Sequence, residues 1–393
     1  MRQIHQQLTI IIFDTSLTLS RLYPLSLTRP VSEIRHGLFT LSQWYSLASG
    51  LAVYSISASC FNFESPGPGD GPYLCIDSSV IPNAGLLEQL LLLEEGCSLE
   101  DTNGIIGYVS ATPPAFDRFP LFFRDTIIYG PVARIAHPID WVKTNAEKIK
   151  ADVSLLNPQS FLTANGESNK VFGQYPVWLD EGAKVSGVIF NTEDGPVYIG
   201  KNALVMEGVC IRGPVAVMDG AVVKMGAQLY AGTTIGKAVV AGGEIKNSII
   251  GDFSNKAHHG YLGDSMIGRW CNLGAGTTNS NVKNNAGEIS MWHEALKKMV
   301  PVGKKAGMVM GDYSKTAINT SLNTGTTIGA FCSLHKPGFA EKHIPSFSWG
   351  PGEHYNWQKA LTDLENWYQF KNQPVEDGLA ALLQQLSQNT RSS

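Results

Sequence analysis

The sequence predicts an α/β domain over residues 1–160, followed by a left-handed parallel β-helix over residues 175–340 and a helical segment at 350–390. Three observations lead there. An apolar residue recurs at every sixth position, through Ile199, Val205, Ile211, Val217, Val223, Leu229 and Ile235. Four residues after each stands a small or β-branched one: Ala203, Val209, Val215, Ala221, Ala227, Thr233 and Val239. Gly208, Gly220, Gly226 and Gly232 precede four of these small residues, where a tight corner needs a residue tolerant of positive φ. A helix would space its apolar residues by three and four, and a half-buried strand would alternate them. A six-residue period instead gives one short strand and one turn per hexad, and three hexads close a coil. A β-sandwich would need longer and less even spacing.

The elements can be taken in chain order. Residues 8–13, 73–76 and 105–109 are short apolar runs that read as strands, with Ile10–Phe13 a buried first strand. Residues 86–95 have helical spacing, and the alternation of the two types predicts an α/β domain. The run from Ser65 to Pro72 is a surface loop by composition. Residues 140–156 read as a connecting helix with Trp141, Ile149 and Val153 as apolar contacts. The solenoid begins near Val177 and runs to about Ser333, with a short break at 241–246 and a longer one at 284–307. Solenoids expel insertions as loops on one face, often the binding face. The longer insertion carries Lys297, Lys298, Lys304 and Lys305. Hexads resume with Thr316, Leu322 and Ile328, and then Trp357, Leu361, Leu364, Trp367 and Tyr368 fall at helical spacing.

Composition narrows the function. The 393 residues are 43% hydrophobic, enough for a large core, and the net charge of −4 leaves no basic footprint for nucleic acid. No apolar run approaches the ~20 residues of a membrane span. The first seven residues lack the layout of a signal peptide, and the six cysteines form no metal-type pair. Free thiols in a cytoplasmic protein are the expectation.

Polar residues concentrate at 242–283, where the repeat otherwise prefers apolar and small ones. Paired His258 and His259 lie beside glycine-rich turns and asparagines. A neutral imidazole accepts a proton near neutral pH, so His258 is a candidate general base, and an ordinary surface histidine is the alternative. Three histidines brought together across coils would hold zinc, as in γ-type carbonic anhydrases. His258 and His259, however, are adjacent and point to opposite faces, while His293 and His335 lie in the insertion and near the end of the coils.

Glu244 and Lys246, then His258, Tyr261, Gly263 and Asp264, then residues 272–277 and Asn281 match in type and separation a set of family motifs. They resemble the acetyltransferase half of the bifunctional glucosamine-1-phosphate acetyltransferase/N-acetylglucosamine-1-phosphate uridyltransferases. The resemblance covers residues 180–335. It implies that His258 deprotonates the sugar amine as it attacks the acetyl thioester and that Glu244 orients or polarises it. The Ala275 N–H would face the developing oxyanion, a donor that costs no reorganisation. It further implies that Lys246 and Tyr261 hold the sugar phosphate, with Asn272 and Asn281 also in the substrate site. Lys224 stands where the family has a phosphate-binding arginine, keeping charge but losing the bidentate fork. Val282 and Lys283 replace the family's Tyr-Asp, and the following loop is longer. The family also implies acetyl-CoA as acetyl donor and a homotrimer whose acyl sites are completed between neighbours. The four loop lysines are candidates to reach the phosphates of coenzyme A, and a solvated charged loop is the alternative.

Residues 21–30 resemble the opening of sugar-1-phosphate nucleotidyltransferases, where a strand leads into a glycine-rich phosphate loop ending in arginine. Here Asp14 to Ser20 contains no glycine, and Val31 stands where a lysine is expected. The resemblance implies that Arg21, Arg29 and Arg35 bind nucleotide and that Asp14 or Asp77 binds Mg²⁺. The opening Pro24-Leu25-Ser26-Leu27-Thr28-Arg29-Pro30, together with Met310-Gly311-Asp312-Tyr313-Ser314-Lys315, is similar to a variant bacterial group of two-domain uridyltransferase/acetyltransferases. The combined expectation is acetyl transfer to an amino-sugar 1-phosphate, with glucosamine-1-phosphate favoured, followed by nucleotidyl transfer from UTP with Mg²⁺. An acyltransferase with a non-catalytic N-terminal domain and a non-catalytic solenoid scaffold are the alternatives.

Overall fold

A computed structural model describes residues 8–58, 71–116, 122–157, 162–163, 168–336 and 338–391. Cys60 and most of the proline- and glycine-rich loop at 65–72 lie outside the described residues. Internal contacts divide the chain into two units. The first comprises the chain through Leu22, Thr28–Ile34 and Phe39–His137; the second comprises Tyr23–Leu27, Arg35–Leu38 and everything from Pro138 onward.

The first unit is built on a mixed sheet. Its strands are β1 (Thr9–Phe13), β2 (Val53–Ile56), β3 (Tyr73–Asp77), β4 (Cys97–Asp101), β5 (Gly104–Ser110) and β6 (Asp125–Ile128), in the order β2-β1-β3-β5-β4-β6. β1 is buried along its whole length and runs parallel to both neighbours, so its continuous apolar run reflects burial on both faces. Ile11, Phe13, Tyr73, Cys75 and Tyr108 form one core cluster of this unit. Residues 14–20, expected as a phosphate loop, instead enter a short helix α1 (Ser16–Arg21). Thr15 caps it by accepting from the Thr18 N–H, so the residues that a glycine-rich loop would hold extended are helical here. Helices α2 (Leu41–Ser49) and α3 (Ala84–Leu91) start at Thr40 and Asn83 caps, and α2 ends at Gly50 with φ 71°.

The second unit is a parallel β-helix. Val197 pairs with Val215 and Val215 with Thr233, a register of 18 residues per coil, which is three hexads. The repeated apolar residues are all buried in one core running through the coils. The corner glycines take φ of 64–78°, and Asn202 and Ala238 occupy equivalent corners at φ 54°. Between Met266 and its partner Val309 the register jumps by 43 residues. Much of this insertion is an antiparallel hairpin, Ile289–His293 with Lys298–Gly303, and its four lysines are exposed.

α4 (Ile139–Val153), with Trp141, Ile149 and Val153 buried as expected, belongs to this unit and not to the first. Its Asn145 accepts from the Gly37 N–H and donates to Gly232 O and Thr234 Oγ1. The C-terminal segment is two helices, α5 (Trp357–Phe370) and α6 (Leu379–Arg391). α5 lies against a column of corner aromatics at positive φ, including Phe253, Trp270, Tyr313, Phe331 and Phe347. These rings stack along the coils, and Tyr368 of α5 meets Trp270 at 4.1 Å between ring centroids. Non-glycine residues resist this backbone conformation, and the stacked rings over-determine it.

Candidate active site

On the β-helix the site grows from one strand pair. In Glu244–Lys246 the central Ile245 is buried in the core, so alternation turns Glu244 and Lys246 outward on the same face. The next coil supplies Tyr261–Gly263, with Tyr261 opposite Glu244 and Gly263 opposite Lys246. The Tyr261 ring leans along its own strand over Gly263: a Cβ there would stand 2.1 Å from the phenol oxygen. Burial, and then the nearby Asp264 and Glu244 carboxylates, push this phenol up to about 12, with the Asn281 amide opposing. Asp264, at φ 47°, accepts from Asn247 Nδ2 at 2.6 Å and from Asn281 Nδ2. Glu244, Lys246, Tyr261 and Asn281 therefore share one wall, with Asp264 and Asn247 as its fixed base.

His258 and Ala275 stand at the adjoining corner. The Gly276 N–H donates to His259 O at 3.2 Å, which stacks the glycine-rich turn on the histidine pair of the preceding coil. Ala275 O accepts from Asn319 N at 2.7 Å, while its N–H donates to no acceptor among the described residues. His258 is exposed and Ala275 is half-buried. Lys224 lies one coil before Gly242, its N–H bonded to Ala241 O, and is half-buried on the approach to the same corner.

Asn272 is not brought to this wall. It stands on the adjacent sheet, where its Oδ1 accepts from Asn255 Nδ2 at 3.3 Å, and Asn255 Oδ1 accepts from Lys371 Nζ. A strand shift to another wall separates it from Tyr261 despite close sequence spacing. The zinc alternative has no ligand set: among the described residues no group of three or more His, Cys, Asp or Glu side chains could hold a metal ion.

Sequence reasoning missed Lys256. Its register partner is Ala241, which pairs with Val223, so it occupies a core-facing column of aliphatic residues and is only 2% exposed. Its Nζ turns to the corner and donates to Gly242 O at 3.1 Å and His258 O at 2.6 Å. Burial pulls its pKa down to about 8. The signal available in the sequence was a lysine at a hexad position reserved for an apolar side chain.

In the first unit, Asp14 and Asp77 sit at the carboxyl ends of the adjacent parallel strands β1 and β3, the edge where open α/β sheets bind ligands. Their donor set does not fit Mg²⁺. Asp14 is 2% exposed, accepts from the Val31 N–H at 3.2 Å, and is pushed by burial up to about 6. Asp77 accepts from Ser79 N–H through one oxygen and from Arg134 through the other. Arg134, also missed by the sequence reading, reaches Asp101 as well.

The three arginines diverge. Arg21 ends α1 and is exposed, and Arg29 is buried. Arg35 belongs to the second unit, where it makes a bidentate pair with Asp252 at 3.0 Å for both contacts and donates to Leu38 O. Its guanidinium is thus engaged by residues of its own unit.

These features define a class: an α/β unit with an acidic strand edge, followed by a hexad-repeat β-helix with a polar corner site. Residues 10–160 match the family described as Sugar nucleotidyl transferase. The chain is similar to the bifunctional protein GlmU of Methanocaldococcus jannaschii, 32% identical over 103 residues, which cover 26% of this chain and 25% of that protein. GlmU of Synechococcus elongatus is 29% identical over 185 residues, covering 44% of this chain and 37% of the relative. A bifunctional sugar-1-phosphate nucleotidylyltransferase/acetyltransferase of Sulfurisphaera tokodaii is 33% identical over 95 residues, covering 24% of this chain and 23% of the relative. The chain thus spans about a quarter to two fifths of the length of these curated relatives. A solved hexapeptide transferase family protein from Anaplasma phagocytophilum is 16% identical and covers 51% of this chain and 95% of its own, with a TM-score of 0.18. That score adds nothing to the fold, which rests on the strand register.

Proposed function

We propose that the protein is a two-site transferase of sugar-nucleotide biosynthesis. The β-helix transfers acetyl from acetyl-CoA to the amine of an amino-sugar 1-phosphate, glucosamine-1-phosphate being the favoured acceptor. The N-terminal unit transfers a nucleotidyl group from UTP to the sugar 1-phosphate, releasing pyrophosphate. One observation carries the acetyl-transfer reading: the register that sets Glu244, Lys246, Tyr261 and Asn281 on one wall, beneath the corner bearing His258 and the unpartnered Ala275 N–H.

The chemistry follows from those groups. His258 takes a proton from the attacking amine while nitrogen bonds to the thioester carbon. Negative charge develops on the carbonyl oxygen, to which the Ala275 N–H would donate. Collapse breaks the carbon–sulfur bond, and the leaving thiolate takes up the proton that His258 removed, giving free coenzyme A and a neutral imidazole. Lys246 and Lys224 offer positive charge to the phosphate, and Tyr261 and Asn281 offer hydrogen bonds to the sugar. A homotrimer in the cytoplasm fits this reading. Among the described residues no helix is long and apolar enough to cross a membrane.

The test supplies acetyl-CoA, glucosamine-1-phosphate, UTP and Mg²⁺ and follows free thiol and pyrophosphate separately. Both products are expected, and His258→Ala should lower thiol release by roughly 10²–10⁴-fold. An unchanged rate in that variant would sink the role of His258. The second reading is an acyltransferase whose N-terminal unit does not catalyse. The engagement of Asp77 by Arg134 favours it, and thiol release without pyrophosphate would select it.

A further inference from the structure

Asp77 and Asp101 end strands β3 and β4, and they face one another across a single guanidinium. Arg134 Nη1 donates to Asp77 Oδ2 at 3.2 Å and to Ser79 Oγ at 3.3 Å. Nη2 donates to Asp101 Oδ1 at 3.2 Å and to the carbonyls of Gly104 and Ile105 at 3.3 and 3.0 Å. An isolated bridge between Arg134 and Val80, with the Ile135 N–H bonded to Ser79 O, delivers the side chain to this place. The Asp101 side chain is wholly buried, and the Arg134 and Asp77 side chains are 15% and 16% exposed. The remaining Asp101 capacity is also used: Oδ1 accepts from Asn103 N–H and Oδ2 from Val132 N–H.

We propose that Arg134 is the resident cation of this edge and that it takes the place a divalent metal would need between the carboxylates. A guanidinium brings positive charge and a rigid fork of donors, so it competes with a metal ion for the same carboxylates. Mg²⁺ requires carboxylate oxygens at about 2.0–2.1 Å in near-octahedral array. Here the facing oxygens are splayed around a planar fork with five acceptors. To seat a divalent ion, Arg134 would have to leave and three carbonyl or hydroxyl acceptors would lose their donor. The N-terminal unit therefore holds its ligand without a metal on Asp77. This holds whether or not the β-helix transfers acetyl groups, so the two readings fail independently.

The experiment titrates the full chain into Mn²⁺ and follows the electron paramagnetic resonance signal of the free ion. Wild type and Asp77→Asn should leave the same amount of Mn²⁺ free. Arg134→Gln, which leaves Asp77 and Asp101 facing each other without a cation, should take up about one ion, roughly tenfold or more tightly than wild type. Arg134→Lys, which keeps a positive charge, should not. Circular dichroism checks that each variant folds. Uptake by wild type that Asp77→Asn abolishes overturns the proposal, as does a folded Arg134→Gln protein with no gain. Should Arg134→Gln fail to fold, the comparison of wild type with Asp77→Asn still decides the matter.

Discussion

Replacing Lys256 by Met separates two contributions that the structure places on one side chain. The stem lies in the core column with Ala241 and Val223, and Met preserves its length and apolar contacts. The ammonium is the difference. Holding it charged inside the coil costs about 3 kcal/mol, the free-energy equivalent of moving a lysine from 10.5 to about 8. Against this, Lys256→Met leaves Gly242 O and His258 O without their side-chain donor, at about 1–3 kcal/mol each. The two effects oppose one another near neutral pH, so a single stability measurement there is uninformative.

The pH dependence is informative. Between about pH 8 and 10.5 the unfolded chain binds the Lys256 proton and the folded protein does not, so wild-type stability rises with pH in that window. Other titrations are shared by both proteins and cancel in the difference. Urea unfolding at a series of pH values should show wild type gaining about 3 kcal/mol on Lys256→Met across the window. A flat difference would refute the burial of a strained amine. Because the same amine pins the carbonyl of His258, the proposed acetyl transfer should also lose kcat, by roughly tenfold to a hundredfold, as His258 and the Ala275 N–H lose register. A variant with full kcat would show that the corner holds its shape without Lys256.

Three further outcomes follow from the same geometry. Asp14 has a folded pKa of about 6 against an ordinary value of 3.8, so wild type should lose about 3 kcal/mol relative to Asp14→Asn as pH rises from about 4 to above 6, read by urea unfolding. Gly263→Ala should push the Tyr261 ring off its place and raise the KM for the sugar phosphate about fivefold, with the melting temperature little changed. Arg35→Gln leaves Asp252 without its bidentate partner, and should lower stability by about 3 kcal/mol in denaturant while nucleotide binding stays at the wild-type level.

The β-helix was legible because its order is one-dimensional. A six-residue period dictates which side chains enter the core, and the positive φ of Gly208, Gly220, Gly226 and Gly232 follows from the same count. The grouping of the candidate site residues was less legible. Asn272 and Tyr261 lie close in sequence but on different walls, because each hexad turns the chain to a new face. Arg35 groups in sequence with the arginines around it, although its partner Asp252 lies 217 residues away. The loop after β1 resembles a glycine-rich template only in position, and the Thr15 cap shows how the chain turns helical there. Long-range pairing decides each of these, and no local pattern records it.

The departures from the repeat are where the chemistry gathers. Lys256 breaks the apolar column at the coil that presents His258, and the glycines at 242, 243, 274 and 276 strip the neighbouring corners of side chains. A regular hexad corner would bury its backbone under small apolar residues and offer a ligand nothing to bind. Here a buried cation bonds the corner carbonyls from inside, leaving the outer surface to His258 and to a backbone N–H with no internal partner. The first unit uses the opposite arrangement, with a guanidinium placed between carboxylates from outside the strands that carry them. In both units a basic side chain organises the polar edge, through carbonyls in one and carboxylates in the other. On the proposed reading the corner offers its donors to negative charge that develops during reaction, whereas at the strand edge one guanidinium already engages two carboxylates and offsets part of their charge.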